Sequence, residues 1–175
     1  LLPAPPAGRG LEIALACLDA GLRVRLCDQM RQTARVLQDV GDWLAPSGTK
    51  AAARLLKHGG ALDPDEPLEG VMIAAGPNCG SGAAQVLGPR AIAAGVPVIF
   101  TGHLAQDSPA AGWVAQGLAR RMGWNVHPDR AALTRALEQV RPARALAAFA
   151  PPDRRRAVAA TFPGILWADD GCLSW

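Results

Sequence analysis

The chain has 175 residues, a net charge of +3 at neutral pH, and hydrophobic residues at half of its positions. This length suits one domain or two small ones, and the hydrophobic content is sufficient for an ordinary core. No apolar run approaches the roughly 20 residues that a membrane helix requires, and so mild a charge does not by itself indicate a nucleic-acid partner, since such domains usually carry a concentrated basic face.

Helical and strand patterns alternate along the first half of the chain. After a start rich in proline and glycine, the pattern predicts a helix over 10–22, a strand over 23–28, helices over 29–44 and 48–60, and a strand over 71–76. The last of these is apolar throughout, which is typical of a strand that is buried on both faces.

The alternation continues in the second half. The pattern predicts a helix over 81–95 that Gly88-Pro89 breaks or re-aims, then a strand over 96–102 and a helix over 108–123. Beyond it come a helix over 129–140, a strand over 143–150, a helix over 153–162, and a strand and turn over 164–171. This order favours an α/β fold with a mainly parallel sheet flanked by helices.

Four cysteines, Cys17, Cys27, Cys79 and Cys172, are widely spaced and form no CxxC pair. Zinc sites and disulfide frameworks cluster their cysteines more tightly. We therefore expect reduced and mostly buried thiols in a cytoplasmic protein. The chain begins with Leu1 rather than Met and lacks the charged-then-apolar order of a signal peptide, which leads us to expect a piece of a longer protein.

A glycine-rich loop, "GPNCGSG", follows the apolar strand and opens the next helix. Asn78 or Ser81 could cap that helix, and free N–H groups at such a start suit a phosphate. The loop is neither a Walker A sequence nor GxGxxG, and a tight turn explains it equally well.

The loop "FTGHLAQDSP" follows the next predicted strand, and the carboxyl ends of strands are where ligands bind in open α/β sheets. Thr101, His103 and Ser108 offer hydroxyl and imidazole groups there, with Ser108 as the expected N-cap of the following helix. A surface loop that ends in a good cap explains these residues as well.

His127 lies between a short apolar run and a predicted helix whose expected N-cap is Asp129. The positive end of a helix dipole disfavours an imidazolium, which suits a histidine that works neutral or donates a proton. A purely structural histidine fits the same pattern. His58, at a polar helix end, is expected to be solvated.

Four segments in chain order resemble the β-CASP family of the metallo-β-lactamase fold. "LLPAPPAGRGLEIAL" is similar to the opening of the family's cap, and "VMIAAGPNCGSGAAQVL" to its strand, Gly/Ser loop and helix. "VIFTGHLAQDSPAAGWV" resembles the "FTG…SPG" segment, and "NVHPDRAAL" the "SAHAD" segment with the motif B histidine. The resemblance implies a Rossmann-like cap domain over 1–107 and a C-terminal part of a metallo-β-lactamase-like domain over 108–175.

Full enzymes of this family are two-zinc nucleases that mostly act on RNA. The resemblance therefore implies a fragment of a phosphodiester hydrolase of RNA processing or exonuclease type. It gives His127 the motif B role at the scissile phosphate and gives Asp129 the role of orienting that histidine. It also implies contacts to the nucleic-acid backbone from Arg9, Asn78, Ser81, Gly82, Thr101 and Ser108.

Two departures from the family pattern concern the metals. The chain contains no His-x-His-x-Asp-His motif, and Phe149 stands near the place of the motif C histidine, where it cannot bind zinc. We therefore expect no metal or cofactor in this chain and no activity of the chain alone, with zinc belonging to a full-length parent. The expected partner of the parent is nucleic acid, RNA in the first place; no membrane contact is expected, and a homodimer is allowed.

Two other functional classes stay open. The first is a non-catalytic nucleic-acid-binding or interaction module on the same fold, which a His-x-His-x-Asp-His motif upstream of Leu1 would argue against. The second is a Rossmann-like small-molecule binder, which predicts one continuous parallel sheet with a pocket at the 76–82 loop. A single sheet that includes segments before and after Ser108 would count against the β-CASP interpretation.

Overall fold

A computed structural model of the chain describes residues 1–124, 129–148 and 151–168. The fold is α/β, with parallel strands and flanking helices, so the predicted fold class is confirmed. The chain divides into two compact units, Leu1–Val126 and His127–Trp175. None of the helices in the described ranges combines the length and the apolar character needed to cross a membrane.

The first unit is built on a four-stranded parallel sheet in the order β1–β4–β2–β3. Its strands are β1 (Leu2–Ala4), β2 (Val24–Leu26), β3 (Gly60–Ala61) and β4 (Val71–Ala75). A further parallel pair consists of β5 (Ile99–Phe100) and β6 (Arg120–Arg121). The Ile99 N–H donates a hydrogen bond of 2.9 Å to the Leu1 carbonyl, which places β5 beside β1.

Five α-helices and a short 3-10 helix surround these strands. They are α1 (Arg9–Asp19), α2 (Asp28–Asp39), the 3-10 helix (Gly41–Trp43), α3 (Pro46–His58), α4 (Gly82–Ala93) and α5 (Pro109–Ala115). The chain leaves β1 through α1 towards β2, and it leaves β4 through α4 in the opposite direction towards β5. Because such crossovers are right-handed, α1 and α4 cover opposite faces of the sheet. Their starting loops diverge between β1 and β4, which is a topological switch point of the kind where open α/β sheets bind ligands.

The core of the first unit lies on both faces of β4. Met72, Ile73 and Ala74 are fully buried, which confirms the strand predicted to be buried on both faces. Phe100 on β5 is also fully buried, and its ring stacks on Trp113 of α5 at a centroid distance of 6.5 Å. Burial of such side chains is the main source of stability of the unit.

Several predicted element boundaries were wrong. Helix α4 continues through Pro89 to Ala93, so the Gly88-Pro89 pair does not break it. A side chain at Gly88 would meet the Trp113 ring at 2.9 Å, which shows that the glycine serves close packing between α4 and α5. The helix predicted over 108–123 ends at Ala115, and the segment after it forms β6.

The first unit extends beyond Ser108, the first residue of the predicted metallo-β-lactamase-like segment over 108–175. Strands β5 and β6 lie before and after Ser108 and pair with each other, with register Ile99 to Arg120 and Phe100 to Arg121. A sheet with strands from both sides of Ser108 counts against the β-CASP interpretation by the criterion given above. It matches the small-molecule-binder interpretation only in part, because β5 and β6 form a two-stranded sheet of their own and not one continuous sheet with β1–β4.

The second unit contains α6 (Arg130–Val140), β7 (Arg144–Ala145), α7 (Pro152–Thr161) and β8 (Leu166–Trp167). Strands β7 and β8 are parallel, as expected for strands joined through a helix. Helices α6 and α7 lie within one residue of the predicted ranges 129–140 and 153–162, so both predicted helices are confirmed. Phe149, predicted to replace the motif C histidine, lies outside the described residues.

Candidate nucleic-acid interface

Three loops meet where β1, β4 and β5 end. We call this end of the sheet the carboxyl edge and define it by the loops 5–8, 76–81 and 101–108 together with the residues that follow them. These loops and the residues that follow them include all the residues predicted to contact a nucleic-acid backbone: Arg9, Asn78, Ser81, Gly82, Thr101 and Ser108.

Arg9 is the first residue of α1, and its guanidinium lies directly against Gly102. A Cβ at Gly102 would come within 2.7 Å of Arg9 Cζ, so the absence of a side chain there is what admits the arginine. The Nε–H of Arg9 is buried and has no hydrogen-bond partner in the part of the chain that the structure describes. The Nε–H donor of this cation is therefore held at the edge without an acceptor among the described residues.

Thr101 follows β5 and is only 6% exposed, yet its Oγ1 also has no partner among the described residues. A buried hydroxyl without a hydrogen bond costs about 1–3 kcal/mol. Native structures contain few such groups, and an ordered water or a bound ion is a common partner for them. Two of them lie here, on Thr101 and on the arginine that packs against the next residue.

The 76–82 loop turns tightly into α4. Gly76 has φ +110°, and a Cβ there would overlap the Ser81 carbonyl oxygen; Gly82 has φ +62°. The alternative reading of this loop as a tight turn is thus confirmed. Ser81 occupies the N-cap position of α4 but makes no side-chain cap bond, so its hydroxyl does not satisfy the first N–H groups of this helix.

Asn78 and Ser108 both bind the backbone at Ala105. Asn78 Oδ1 accepts a hydrogen bond from the Ala105 N–H (3.1 Å) and lies 3.4 Å from Ser108 Oγ, which donates its proton to the Ala105 carbonyl at 2.6 Å. Ser108 Oγ in turn accepts from the Ala111 N–H at 3.2 Å, which confirms its predicted role as the N-cap of α5. These two side chains fasten one loop of the edge to another, and that engagement leaves them fewer free groups for a ligand.

Cys79 lies in the same loop, with φ +59° and 3% exposure. Burial raises the pKa of its thiol from 9.0 to about 12, so the group is protonated at neutral pH and is not a nucleophile. Cys17, Cys27 and Cys79 are free thiols, as predicted, while Cys172 lies outside the described residues.

Three residues at this edge were not predicted as site residues from the sequence: Glu12, Arg121 and Trp124. The Arg121 Nε–H donates to the Gly102 carbonyl at 3.2 Å, so a second arginine reaches the point where Arg9 packs. The Trp124 indole N–H donates to Glu12 Oε2 at 3.3 Å, and its backbone N–H donates to the Thr101 carbonyl at 2.9 Å. Arg121 was missed because the sequence pattern predicts a helix up to residue 123, whereas Arg120–Arg121 form β6.

The predicted catalytic pair belongs to the second unit. Asp129 is the N-cap of α6, and its carboxylate accepts a hydrogen bond of 2.7 Å from the Ala132 N–H, as the sequence predicted. His127 lies outside the described residues. Within the described ranges, no group of three or more His, Cys, Asp or Glu side chains is placed to hold a metal ion.

The chain matches no protein-family model and no curated protein. The fold and the edge together define a class, an α/β protein with a polar switch point at the carboxyl ends of its parallel strands.

Proposed function

We propose that the chain is part of a β-CASP-type nuclease and that its carboxyl edge holds the sugar–phosphate backbone of a nucleic acid, RNA in the first place. One observation carries the proposal. The buried Nε–H of Arg9 and the buried hydroxyl of Thr101 both lack partners among the described residues, beside a glycine-rich helix start. The free thiols agree with a cytoplasmic location.

A phosphate supplies what these groups lack. Its anionic oxygens accept from a guanidinium and from a hydroxyl together, and hydrogen bonds to charged groups contribute roughly 1.5–3 kcal/mol each. Arg121 adds a second positive charge beside Gly102, where Arg9 packs. The dipole of α4 favours an anion in the same region.

For hydrolysis, the proposal gives His127 the role of the acid that protonates the leaving oxygen and Asp129 the role of orienting it. One carboxylate oxygen of Asp129 is already engaged by the Ala132 N–H, so the other would serve His127. The proposal assigns the zinc-binding motif to a longer parent chain. The 175-residue chain is accordingly expected to bind RNA without cleaving it.

Fluorescence anisotropy with a labelled single-stranded RNA of about 12 nucleotides tests the binding. We expect affinity to fall steeply as salt rises from about 50 to 200 mM, because phosphate contacts release counterions. Arg9→Gln should weaken binding by at least about tenfold, the value of one charge-assisted hydrogen bond. It should also reduce the slope of log K against log salt by about 0.7, the contribution of one phosphate contact on a single strand.

Arg23→Gln is the matched control. It removes the same charge from an exposed arginine that precedes β2 at the opposite end of the sheet, where Arg23 pairs with Glu69 at 3.5 Å. Equal losses of RNA affinity in the two variants would show that binding depends only on net charge, and they would contradict a site at Arg9.

The catalytic part of the proposal needs the longer parent chain. Metal analysis and a nuclease assay should find zinc and phosphodiester cleavage, with a large loss of activity in His127→Ala. Full activity in that variant would remove His127 from the mechanism. RNA binding by a parent that neither holds metal nor cleaves would favour the non-catalytic module.

A small-molecule binder is the second candidate, favoured by the pairing of β5 with β6 across Ser108 and by the position of β5 beside β1. It predicts that a nucleotide such as ATP or NAD raises the melting temperature of the chain. It also predicts that labelled RNA binds with no dependence on Arg9.

A further inference from the structure

Trp124 occupies a fixed position at the carboxyl edge. It follows β6, and its backbone N–H bonds to the carbonyl of Thr101, the residue whose buried hydroxyl has no partner among the described residues. Its indole N–H bonds to Glu12 in the first turn of α1, three residues after Arg9. Hydrogen bonds from its backbone and from its indole thus hold Trp124 against the two segments that carry Thr101 and Arg9.

The ring is anchored but not covered, since 38% of Trp124 is exposed. Aromatic residues of this size are usually buried more fully, as Phe100 and Trp113 are in the same unit. An immobilised aromatic face beside a positively charged phosphate site is the arrangement with which proteins bind single-stranded nucleic acids, because every base has a π-face that can stack on it.

We propose that Trp124 is a stacking platform for one nucleobase, while Arg9 and Thr101 hold the phosphate next to that base. This inference rests on the proposed function and adds to it a preference for nucleotides over bare polyanions. Stacking involves no hydrogen bonds to the edges of a base, so we expect Trp124 to bind any base and to bind an abasic site more weakly.

Glu12 has an additional part in this site. Its carboxylate orients the indole, but its negative charge also repels the phosphate that Arg9 would hold. Glu12→Gln keeps an oxygen acceptor for the indole N–H and removes the charge. We expect this variant to bind RNA about two- to fivefold more tightly, an effect of the size seen for partly screened charges.

The test compares two labelled oligomers of equal length and charge, one with bases and one in which abasic spacers replace the bases. The wild-type chain should bind the first about tenfold more tightly, the value of one stacked base. Trp124→Leu should lose that advantage and bind both oligomers equally. Trp124→Phe should keep most of it, because a phenyl ring still stacks. Arg9→Gln should weaken the binding of both.

The outcomes separate the two proposals. If the wild-type chain binds both oligomers equally, or if Trp124→Leu binds the base-containing oligomer as well as wild type does, the stacking platform is refuted and the phosphate site stands. If the wild-type chain binds neither oligomer, the proposed function fails and the platform with it. The comparison of oligomers on the wild-type chain needs no variant, so it decides the matter even if Trp124→Leu does not fold.

Discussion

Among the described residues, each compact unit has one pair of neighbouring aromatic rings, and the two pairs differ in burial. Phe100 and Trp113 in the first unit have centroids 6.5 Å apart, and Phe100 is fully buried. Phe162 and Trp167 in the second unit are 6.3 Å apart, but both are half-buried. Helices α6 and α7 contain no buried residue among those described. The two pairs have similar ring geometry, but we expect the pair in the first unit to stabilise its unit more. The stabilisation depends on the apolar area removed from water more than on the ring pairing itself.

The largest expected effect comes from truncating the buried ring. Phe100→Ala should lower the free energy of unfolding of the first unit by about 3–5 kcal/mol, because it removes a fully buried side chain and leaves a cavity. Phe162→Ala should cost about 1 kcal/mol, since a half-buried ring loses less and its site can relax. Urea denaturation followed by circular dichroism measures both.

Phe100→Leu serves as the control, because it keeps most of the apolar volume and should restore most of the loss. Equal costs for Phe100→Ala and Phe162→Ala would show that the second unit is as well packed as the first, and the comparison would then fail.

Glycines give a second contrast between the units. A Cβ at Gly76 would overlap the Ser81 carbonyl oxygen, and its φ of +110° disfavours any other residue. Gly76→Ala should therefore cost about 2–3 kcal/mol. Gly164 in the second unit has nothing within 4 Å of a built Cβ, and Gly164→Ala should change stability by less than about 0.5 kcal/mol.

Gly80→Ala separates the effect of position from that of the loop as a whole. Gly80 lies four residues after Gly76 in the same turn, and nothing lies within 4 Å of its built Cβ. Its substitution should resemble that of Gly164 in thermal or urea melts. If Gly80→Ala costs about as much stability as Gly76→Ala, the whole loop is sensitive to substitution. The close approach of Ser81 to Gly76 would then not explain the cost of Gly76→Ala.

The sequence predicted elements well where a long period or a strong cap marked them. Helices α1, α2, α3 and α6 and the buried strand β4 all lie where the periodicity placed them. Strands β1, β3 and β6 were not predicted, because two or three residues are too few to show an alternation. Their pairing is decided by neighbouring strands rather than by their own sequence.

The candidate site was predicted in part. The loops of the carboxyl edge were identified from their glycines and hydroxyls, and parallel strands bring such loops together. Which side chains lack partners could not be predicted, because the engagement of Asn78 and Ser108 and the isolation of Thr101 depend on distances across loops. Trp124 was missed as a site residue for the same reason, since its partner Glu12 lies 112 residues away in the sequence.

Smaller effects than those at Phe100 and Gly76 are expected at the two helix caps, one in each unit. Ser108 accepts from the Ala111 N–H at 3.2 Å and Asp129 from the Ala132 N–H at 2.7 Å. Ser108→Ala and Asp129→Ala should each cost about 1 kcal/mol. Asp129→Asn keeps an oxygen at the cap and should cost only a few tenths.

The asparagine variant also tests the catalytic role proposed for Asp129. In the longer nuclease proposed above, a residue that only caps α6 would tolerate Asp129→Asn with unchanged nuclease activity, because the amide oxygen still accepts from the Ala132 N–H. A residue whose charge orients His127 would instead lose activity in that variant while the melting temperature stays nearly constant. Unchanged activity in Asp129→Asn, measured beside a cap-disrupting Asp129→Ala, would return Asp129 to a purely structural role in the second unit.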